Sequence, residues 1–239
     1  MIPAVVQKKE SSSNTETFHK NFDKQSAEDR IRWAIQQFRD KAVLTTSFGA
    51  QSSALLHLAT QIQPDLPVLF IDTGYHFPET ISFAEELKEK LKLNLKTYHP
   101  LLSPSEIESR YGQIWEKGPE GLEQFHEIIR VEPLRRALRD LDPEMWIAGL
   151  RRSSSESRQK MDFLTRQDAR LKFLPLLDWS DRDLGQYLQT HSLPYHPLWA
   201  QGYISIGDRV TTKRLDEVSD PSQLRHFGWK RECGIHDRV

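Results

Sequence analysis

The strongest constraint on the fold is the alternation of strand-like and helix-like segments between Ala42 and His99. Three short apolar runs, AVLTTSF, PVLFIDTG and LNLKTYH, have the length and composition of buried strands. Two longer runs, SSALLHLATQI and PETISFAEELKEKLK, separate them and repeat apolar residues at helical spacing. Because strand–helix–strand units of this kind form parallel sheets with right-handed crossovers, the sequence predicts an α/β fold.

The same pattern extends to both sides of this region. EMWIAGL and LKFLPLLDW are predicted as further strands, and a helix is expected from about Asp181 to His191. Before the first strand, Ile31 and Ile35 share a helical face, and Ser26 is placed to cap that helix. We therefore expect an open, mostly parallel, twisted sheet with helices on both faces.

A chain of 239 residues is long enough for one α/β domain with an appended tail. Residues 1–20 are polar and are predicted to form an N-terminal arm, and residues 21–207 carry the strand–helix pattern. Residues 208–239 mix glycine, charge and aromatic side chains with little periodicity. We expect this last segment to be a mobile C-terminal tail.

The composition excludes several classes of partner and site. Lys plus Arg (33) nearly equals Asp plus Glu (34), so no overall field favours nucleic acid or a membrane surface. No leader or membrane-spanning run is apparent, which predicts a cytoplasmic protein. The single cysteine excludes an intrachain disulfide and a self-contained iron–sulfur cluster, and the nine histidines lack metal-ligand spacing.

Three loops follow predicted strands, where parallel sheets bind their ligands. They are SFGAQSS, DTGYHFPET and GLRRSSSESR. The first offers backbone N–H groups around Gly49, the positive end of a helix, and serine hydroxyls, all of which suit a phosphate. A purely structural glycine turn is the alternative. Gln51 stands where a loop that splits ATP needs an acid for Mg²⁺, so this loop is expected to bind a nucleotide without hydrolysing it.

Arg151 and Arg158 lie in the third loop, and their forked side chains match the geometry of phosphate and sulfate. The alternative is a solvated charged loop.

Near the C-terminus, Cys233 stands in the run WKRECGIHDRV. A lone cysteine is often a small buried hydrophobe, but the charged, glycine-flanked surroundings favour an exposed nucleophilic thiolate. Any thiol chemistry must then be completed by an outside partner.

Together these segments resemble the phosphoadenylyl-sulfate (PAPS) reductase family, from about Val43 to His236. The motifs SFGAQSS, DTGYHFPET, YGQIWEKG, IAGLRR, YHPLW, GYISIGD and KRECGIH follow one another in the family's order. The resemblance implies a fold like that of the adenine nucleotide alpha hydrolases, with 21–207 as the nucleotide-binding domain and 208–239 as the catalytic tail. It also implies site residues. The catalytic group is Cys233, His236 and Arg231; the substrate-binding group is Ser47, Gly49, Ser52, Ser53, Asp72, Thr73, Gly74, Arg151, Arg158 and Lys230.

The activity implied by this resemblance is reduction of PAPS to sulfite and adenosine 3′,5′-bisphosphate, a step of sulfate assimilation toward hydrogen sulfide and cysteine. The intermediate would be an S-sulfonate on Cys233, resolved by reduced thioredoxin or glutaredoxin, with no bound cofactor. Family members are often homodimers. The related adenylyl-sulfate (APS) reductases carry additional cysteines for a [4Fe–4S] cluster, and this chain has none to supply them.

Two departures from the family pattern bear on substrate preference. Ser153 and Ser154 stand where Glu and Gln are common, and Val210 replaces a histidine before the Thr pair. Two other functions remain open at this point. One is an ATP pyrophosphatase or adenylating enzyme on the same sheet, and the other is a nucleotide-binding regulator whose tail only docks.

Overall fold

A computed structural model describes residues 22–167 and 169–229 of the chain. Its centre is a six-stranded sheet with the order β3-β2-β1-β4-β6-β5. The strands are β1 Ala42–Thr46, β2 Pro67–Ile71, β3 Asn94–Tyr98, β4 Met145–Ala148, β5 Leu164–Gln167 and β6 Arg170–Phe173. All neighbouring strands are parallel except β5, which pairs antiparallel with β6. The predicted open, mostly parallel α/β sheet is therefore confirmed.

The helices occupy the positions that the apolar spacing predicts. They are α1 Ala27–Phe38, α2 Ser53–Ile62, α3 Pro78–Leu91, α4 Pro104–Tyr111, α5 Gly118–His126, α6 Glu132–Leu141 and α7 Asp181–Thr190. A π-helical turn, Glu127–Val131, joins α5 to α6. Ser26 caps α1 by accepting the Asp29 amide at 3.1 Å, which is the cap that the sequence indicated. No helix among residues 22–167 and 169–229 has the length and apolar character to cross a membrane.

Helices cover both faces of the sheet, and β1 shows why. Successive side chains of a strand point to opposite faces, so Ala42 and Leu44 pack into one apolar cluster and Val43 packs into another. The first cluster includes Ile31 of α1, and the second includes Leu134 of α6. The near-continuous apolar composition of β1 therefore follows from its burial on both sides.

The order of the strands places a switch point next to β1. The chain runs outward from β1 through β2 to β3, then returns to the other side of β1 as β4. The register pairs Thr45 with Leu69 on one side and with Ala148 on the other. Loops leaving β1 and β4 therefore diverge in opposite directions, which opens a crevice at their carboxyl ends.

Two features differ from the sequence prediction. Strand β5 was not expected; it is a short edge strand with an exposed centre, so it carries little apolar signal. The weak periodicity after Pro197 suggested few buried contacts, yet Asp208, Thr211, Leu224 and His226 are all buried. Short 3₁₀ turns form most of this segment, and they produce no long apolar period. Residues 208–229 thus pack on the α/β domain, while 230–239 lie outside the described residues.

Candidate active site

A cavity of about 550 Å³ lies at the carboxyl ends of β1 and β4. Thr46 and Ser47 at the end of β1 line it, as do Ala148 and Gly149 at the end of β4. The volume falls in the range of nucleotide and cofactor sites, which is about 300–1,000 Å³. Apolar side chains from β1, β2, α2 and α7 form part of the wall and suit a flat aromatic base.

The loop between β1 and α2 supplies one wall of the cavity. Ser47, Gly49 and Ser52 line it, and α2 begins at Ser53. Within the described part of the chain, the Ser52 hydroxyl oxygen is buried and has no hydrogen-bond partner. A buried polar atom without a partner is costly, and a phosphate oxygen at this helix N-terminus would satisfy it.

Ser53 occupies a different environment from the other predicted phosphate ligands. It is fully buried, and its hydroxyl donates to the Pro194 carbonyl at 2.7 Å. It is not among the residues lining the cavity. Its side chain ties the start of α2 to the segment after α7.

Four arginines line the cavity: Arg130, Arg151, Arg158 and Arg225. Among the described residues, Asp181 is the single carboxylate in the lining. This local excess of positive charge contrasts with the chain's net charge of −1. The cavity therefore favours a multiply charged anion, although the protein as a whole exerts no such preference.

The arginine loop predicted from the sequence reaches the cavity, and its two arginines differ in burial, since Arg158 is only half-buried. Arg151 is largely buried and donates to Asp181 at 2.8 Å and to the Trp179 carbonyl at 3.2 Å. It also contacts the Ser153 hydroxyl at 2.9 Å and the Gln51 side-chain oxygen at 3.3 Å. Arg151 thus joins the two loops that leave β1 and β4, as well as facing the cavity.

The DTG segment after β2 does not line the cavity. Asp72 accepts the Gly74 amide at 3.0 Å, which closes a tight turn. Gly74 has φ of 74°, and an added Cβ would come within 2.7 Å of the Pro104 ring. Thr73 is buried and donates to Asp208 at 2.7 Å. The three predicted substrate residues thus form a turn outside the cavity lining, and Thr73 is linked through Asp208 to Arg130, which lines the cavity.

Two cavity arginines were missed by the sequence analysis. Arg130 lies on the π-helical turn Glu127–Val131, a distortion that often marks a functional site. Arg225 lies just before a 3₁₀ turn, His226–Gly228, in the C-terminal segment. Neither belongs to a glycine loop or a charge cluster, so no local signal indicated them.

His226 adjoins Arg225 and also lines the cavity. Its ring is buried against that of His126, with the centroids 4.5 Å apart. Burial lowers the pKa of His226 well below its ordinary value, and the nearby charge of Arg225 lowers it further. The ring is therefore neutral at physiological pH and contributes no charge to the cavity.

The predicted residues Lys230, Arg231, Cys233 and His236 lie outside the described residues. The described chain ends at Trp229, four residues before Cys233. The roles assigned to these four residues stay predictions from the sequence.

Comparisons with known proteins show which family the sequence matches. Residues 41–214 match the family described as the phosphoadenosine phosphosulfate reductase domain. A protein of Xylella fastidiosa (strain M12) named phosphoadenosine 5′-phosphosulfate reductase is 49% identical over 94% of each chain. A protein of the same name from Xanthomonas axonopodis pv. citri is 51% identical, over 89% of this chain and 88% of its own.

Solved structures give the same result for the fold. The phosphate complex of phosphoadenylyl-sulfate reductase from Candida auris superposes with a TM-score of 0.75 and 25% identity, covering 87% of this chain and 100% of its own. Candida glabrata FMN adenylyltransferase, with FAD and pyrophosphate, has a TM-score of 0.61 at 16% identity, covering 97% and 77% respectively. The second likeness shows a shared fold and nothing about the reaction.

Proposed function

The chain belongs to the phosphoadenosine phosphosulfate reductase family, and from that premise we propose that it reduces PAPS to sulfite and adenosine 3′,5′-bisphosphate. It is an oxidoreductase of sulfate assimilation. The observation that carries the proposal is the cavity at the switch point, with four arginines facing an apolar wall. This arrangement suits an adenine nucleotide with several phosphate and sulfate charges.

The bound nucleotide would use both halves of the cavity. Its base would contact the apolar wall, and one phosphate would lie at the loop of Gly49 and Ser52, at the start of α2. Arginine side chains would hold the remaining anionic groups, because guanidinium forks bind phosphate and sulfate oxygens in pairs. Lys230 and Arg231 are proposed to add charge from the tail.

The proposed reaction begins with the Cys233 thiolate. Its sulfur attacks the sulfonate sulfur of PAPS, an S–S bond forms, and the S–O bond to the phosphate breaks. The bond electrons leave with adenosine 3′,5′-bisphosphate, and Cys233 carries an S-sulfonate. Arg158, Arg231 and Lys230 would stabilise the negative charge that develops on the leaving phosphate, while His236 lies three residues after the thiol in sequence.

A dithiol protein such as thioredoxin or glutaredoxin is the proposed reductant. One of its thiolates attacks the Cys233 sulfur, which releases sulfite and leaves a mixed disulfide. Its second thiolate then displaces Cys233 and restores the thiol. Two electrons thus pass from the dithiol to the sulfonate sulfur. A cytoplasmic location fits this cycle, since thiols are kept reduced there.

We propose that the reaction uses no metal or iron–sulfur cluster. The single cysteine of the chain supports this, as does the lack of any group of three metal-ligating side chains in the described ranges. The purified, active enzyme should accordingly be colourless and free of iron. A stoichiometric iron–sulfur spectrum in active protein would contradict this part of the proposal.

Sulfite release from PAPS with reduced thioredoxin is the direct test of the activity. Without reductant, intact mass should show one sulfonate added to the wild-type chain after exposure to PAPS. Cys233→Ser should show none and should release no sulfite. An adduct on the Cys233→Ser variant would place the covalent step on another residue.

The relation of Gln51 to Arg151 bears on the alternative of an ATP-splitting enzyme. Gln51 lies 3.3 Å from Arg151 and supplies a neutral oxygen where Mg²⁺ would need a carboxylate. We therefore expect no pyrophosphate release from ATP and Mg²⁺. Pyrophosphate release without sulfite formation would favour the adenylating alternative, and binding without either product would favour a regulator.

Preference for PAPS over APS is a separate part of the proposal. Ser153 and Ser154, which replace common family residues, both line the cavity. Ser153 also donates to the Trp179 carbonyl at 3.0 Å, so its side chain stays near Arg151. The ratio of kcat/KM for the two nucleotides, measured with the same reductant, tests this preference. Equal values of kcat/KM for PAPS and APS would mean that the 3′-phosphate is not recognised.

A further inference from the structure

Asp208 is a fully buried carboxylate that does not line the cavity but binds a residue that does. Its Oδ2 accepts hydrogen bonds from Arg130 Nε at 3.0 Å and from Arg130 Nη2 at 2.6 Å. These two donors form one edge of the guanidinium, so accepting both fixes the plane of the group. The orientation of Arg130 toward the cavity therefore depends on Asp208.

Asp208 is itself held from several sides. Its Oδ1 accepts the Thr73 hydroxyl at 2.7 Å, and its main-chain carbonyl accepts the Thr212 hydroxyl at 2.7 Å. The next amide, of Arg209, donates to the Tyr75 carbonyl at 2.9 Å. Burial, the largest single cause, would raise the pKa of Asp208, but the charges of Arg130 and His76 and the hydrogen bonds from Thr73 and Arg130 together outweigh it, and the net shift is downward. The carboxylate is thus ionised and immobile.

Gly207, the preceding residue, lies against the second arginine that the sequence did not indicate. A Cβ added to Gly207 would fall 2.0 Å from Arg225 Nη2 and 2.2 Å from Arg225 Cζ. The Arg225 guanidinium therefore occupies the space that any side chain at 207 would need. Every close atom belongs to the far end of a flexible side chain, so a methyl group would displace the guanidinium rather than the backbone.

We propose that Gly207 and Asp208 are positioning residues, which together set the guanidinium groups of Arg130 and Arg225 in the nucleotide cavity. Asp208 does so by bonding Arg130, and Gly207 by leaving room for Arg225. Two adjacent residues thereby determine the orientation of two of the four arginines that line the cavity among the described residues. The inference rests on the proposed function for the identity of the anion, PAPS or its product.

Gly207→Ala is the sharper test because it should not disturb folding. The added methyl displaces the Arg225 guanidinium, so we expect the KM for PAPS and the Kd for adenosine 3′,5′-bisphosphate to rise about tenfold. A rise of that size corresponds to weakening one charge-assisted hydrogen bond. The thermal unfolding midpoint should change little. Gly185→Ala is the matched control, since its methyl would meet only the Tyr195 hydroxyl, at 3.3 Å, away from the cavity.

A double substitution distinguishes positioning from a general structural effect. If Gly207 acts through Arg225, adding Gly207→Ala to Arg225→Ala should cause no further loss of affinity. If the loss of affinity in the double variant equals the product of the losses in the two single variants, Gly207 does not act through Arg225. A wild-type Kd for the Gly207→Ala single variant would also overturn the role of Gly207.

Asp208 is tested by a pair of variants that separate charge from position. Asp208→Asn and Asp208→Ala both remove a negative charge next to a cavity arginine, so charge alone predicts tighter binding of adenosine 3′,5′-bisphosphate. A positioning role for Asp208 predicts weaker binding of the same nucleotide. The Kd should rise several-fold in Asp208→Asn, which retains one acceptor oxygen, and should rise more in Asp208→Ala. Tighter binding by the Asn variant would overturn the role of Asp208, and this comparison stands even if the Ala variant does not fold.

Calorimetric binding of adenosine 3′,5′-bisphosphate needs no turnover, so the inference can fail while the reductase activity stands. Conversely, absence of sulfite release by the wild-type protein would reject the proposed reaction and leave the positioning of the arginines measurable. Arg130→Lys provides the corresponding readout at the other arginine, because Lys keeps the charge and loses the two-donor edge. The Kd of the Arg130→Lys variant for adenosine 3′,5′-bisphosphate should rise by the same several-fold as that of Asp208→Asn.

Discussion

The Arg151 guanidinium and the Asp181 carboxylate form a 2.8 Å ion pair at the edge of the nucleotide cavity. The two partners are unequal, since the side chain of Arg151 is 11% exposed and that of Asp181 is 76% exposed. Asp181 is the first residue of α7, where a carboxylate is favoured by the helix dipole. The pair therefore joins the loop after β4 to the start of α7.

This pair separates the roles of the two arginines that the sequence analysis grouped together. Arg151→Gln should lower both kcat/KM for PAPS and the free energy of unfolding, the latter by about 1–3 kcal/mol, because carbonyl and carboxylate acceptors lose their donor. Arg158→Gln should lower kcat/KM with a smaller loss of stability, because Arg158 is only half-buried whereas Arg151 is buried. Steady-state kinetics and urea unfolding of both variants check this. Equal losses of stability would contradict the distinction.

A second buried arginine stabilises the domain away from the cavity. Arg30 of α1 is 1% exposed and donates to both oxygens of Asp178 at 2.6 Å, and to the Phe22 and Pro175 carbonyls at 2.9 Å. Arg30→Met should cost about 3 kcal/mol of unfolding free energy, toward the low end for a broken buried pair because Asp178 is partly exposed. The KM for PAPS should not change.

Arg32 provides the matched control for that substitution. It lies on the same helix, and its ion pair with Glu28 is exposed on both sides. Arg32→Met should therefore cost less than about 1 kcal/mol. If the two variants unfold at the same urea concentration, the buried contacts of Arg30 contribute no more to the unfolding free energy than the exposed ion pair of Arg32.

The neutral ring of His196 should make stability depend on pH. The Leu198 amide donates to its Nδ1 at 3.1 Å, so the proton lies on Nε2, which donates to the Thr80 hydroxyl at 2.9 Å. Burial lowers the pKa of His196 to about 4. Because the unfolded chain binds the proton more tightly, this stability is complete above about pH 6.5 and is lost as the pH falls toward 4.

Replacing His196 should flatten that dependence. In the window between about pH 6.5 and 4, one such group changes the unfolding free energy by at most about 1.4 kcal/mol per pH unit. His196→Gln should be less stable than wild type at pH 7.5, and the difference should shrink at pH 5. Urea unfolding at both values tests this. Identical slopes for the two proteins would mean that His196 is not the titrating group.

We expect the C-terminal tail to close over bound nucleotide, and limited proteolysis tests this closure. Trypsin sites occur at Lys230 and Arg231, and also at Arg209 and Lys213 within the packed segment. We expect cleavage after Lys230 or Arg231 to be slowed by adenosine 3′,5′-bisphosphate, as a closing catalytic segment would be. Cleavage after Arg209 and Lys213 should be slow with or without nucleotide. Equal cleavage of the tail in both states would count against closure.

The sequence determined the parts of this protein that depend on local periodicity and chemistry. Alternating apolar runs predicted β1, β2, β3, β4 and β6, because buried strands and amphipathic helices show their burial in their own composition. Gly49 and Ser52 were predicted to form a phosphate loop because a glycine turn before a helix is a local arrangement, and both residues line the cavity. The prediction that the lone Cys233 is the nucleophile rests in the same way on its neighbours along the chain and on the family motif.

Tertiary structure alone decided which distant residues meet at the cavity. Gln51 and Arg151 approach to 3.3 Å across 100 residues because the strand order brings β4 back beside β1. Arg130 meets Asp208 across 78 residues. Arg225, Gly207 and the edge strand β5 carry no periodic pattern that would mark them. Long-range contacts of this kind depend on the chain's path through the whole sheet, and that path is not encoded in any one segment.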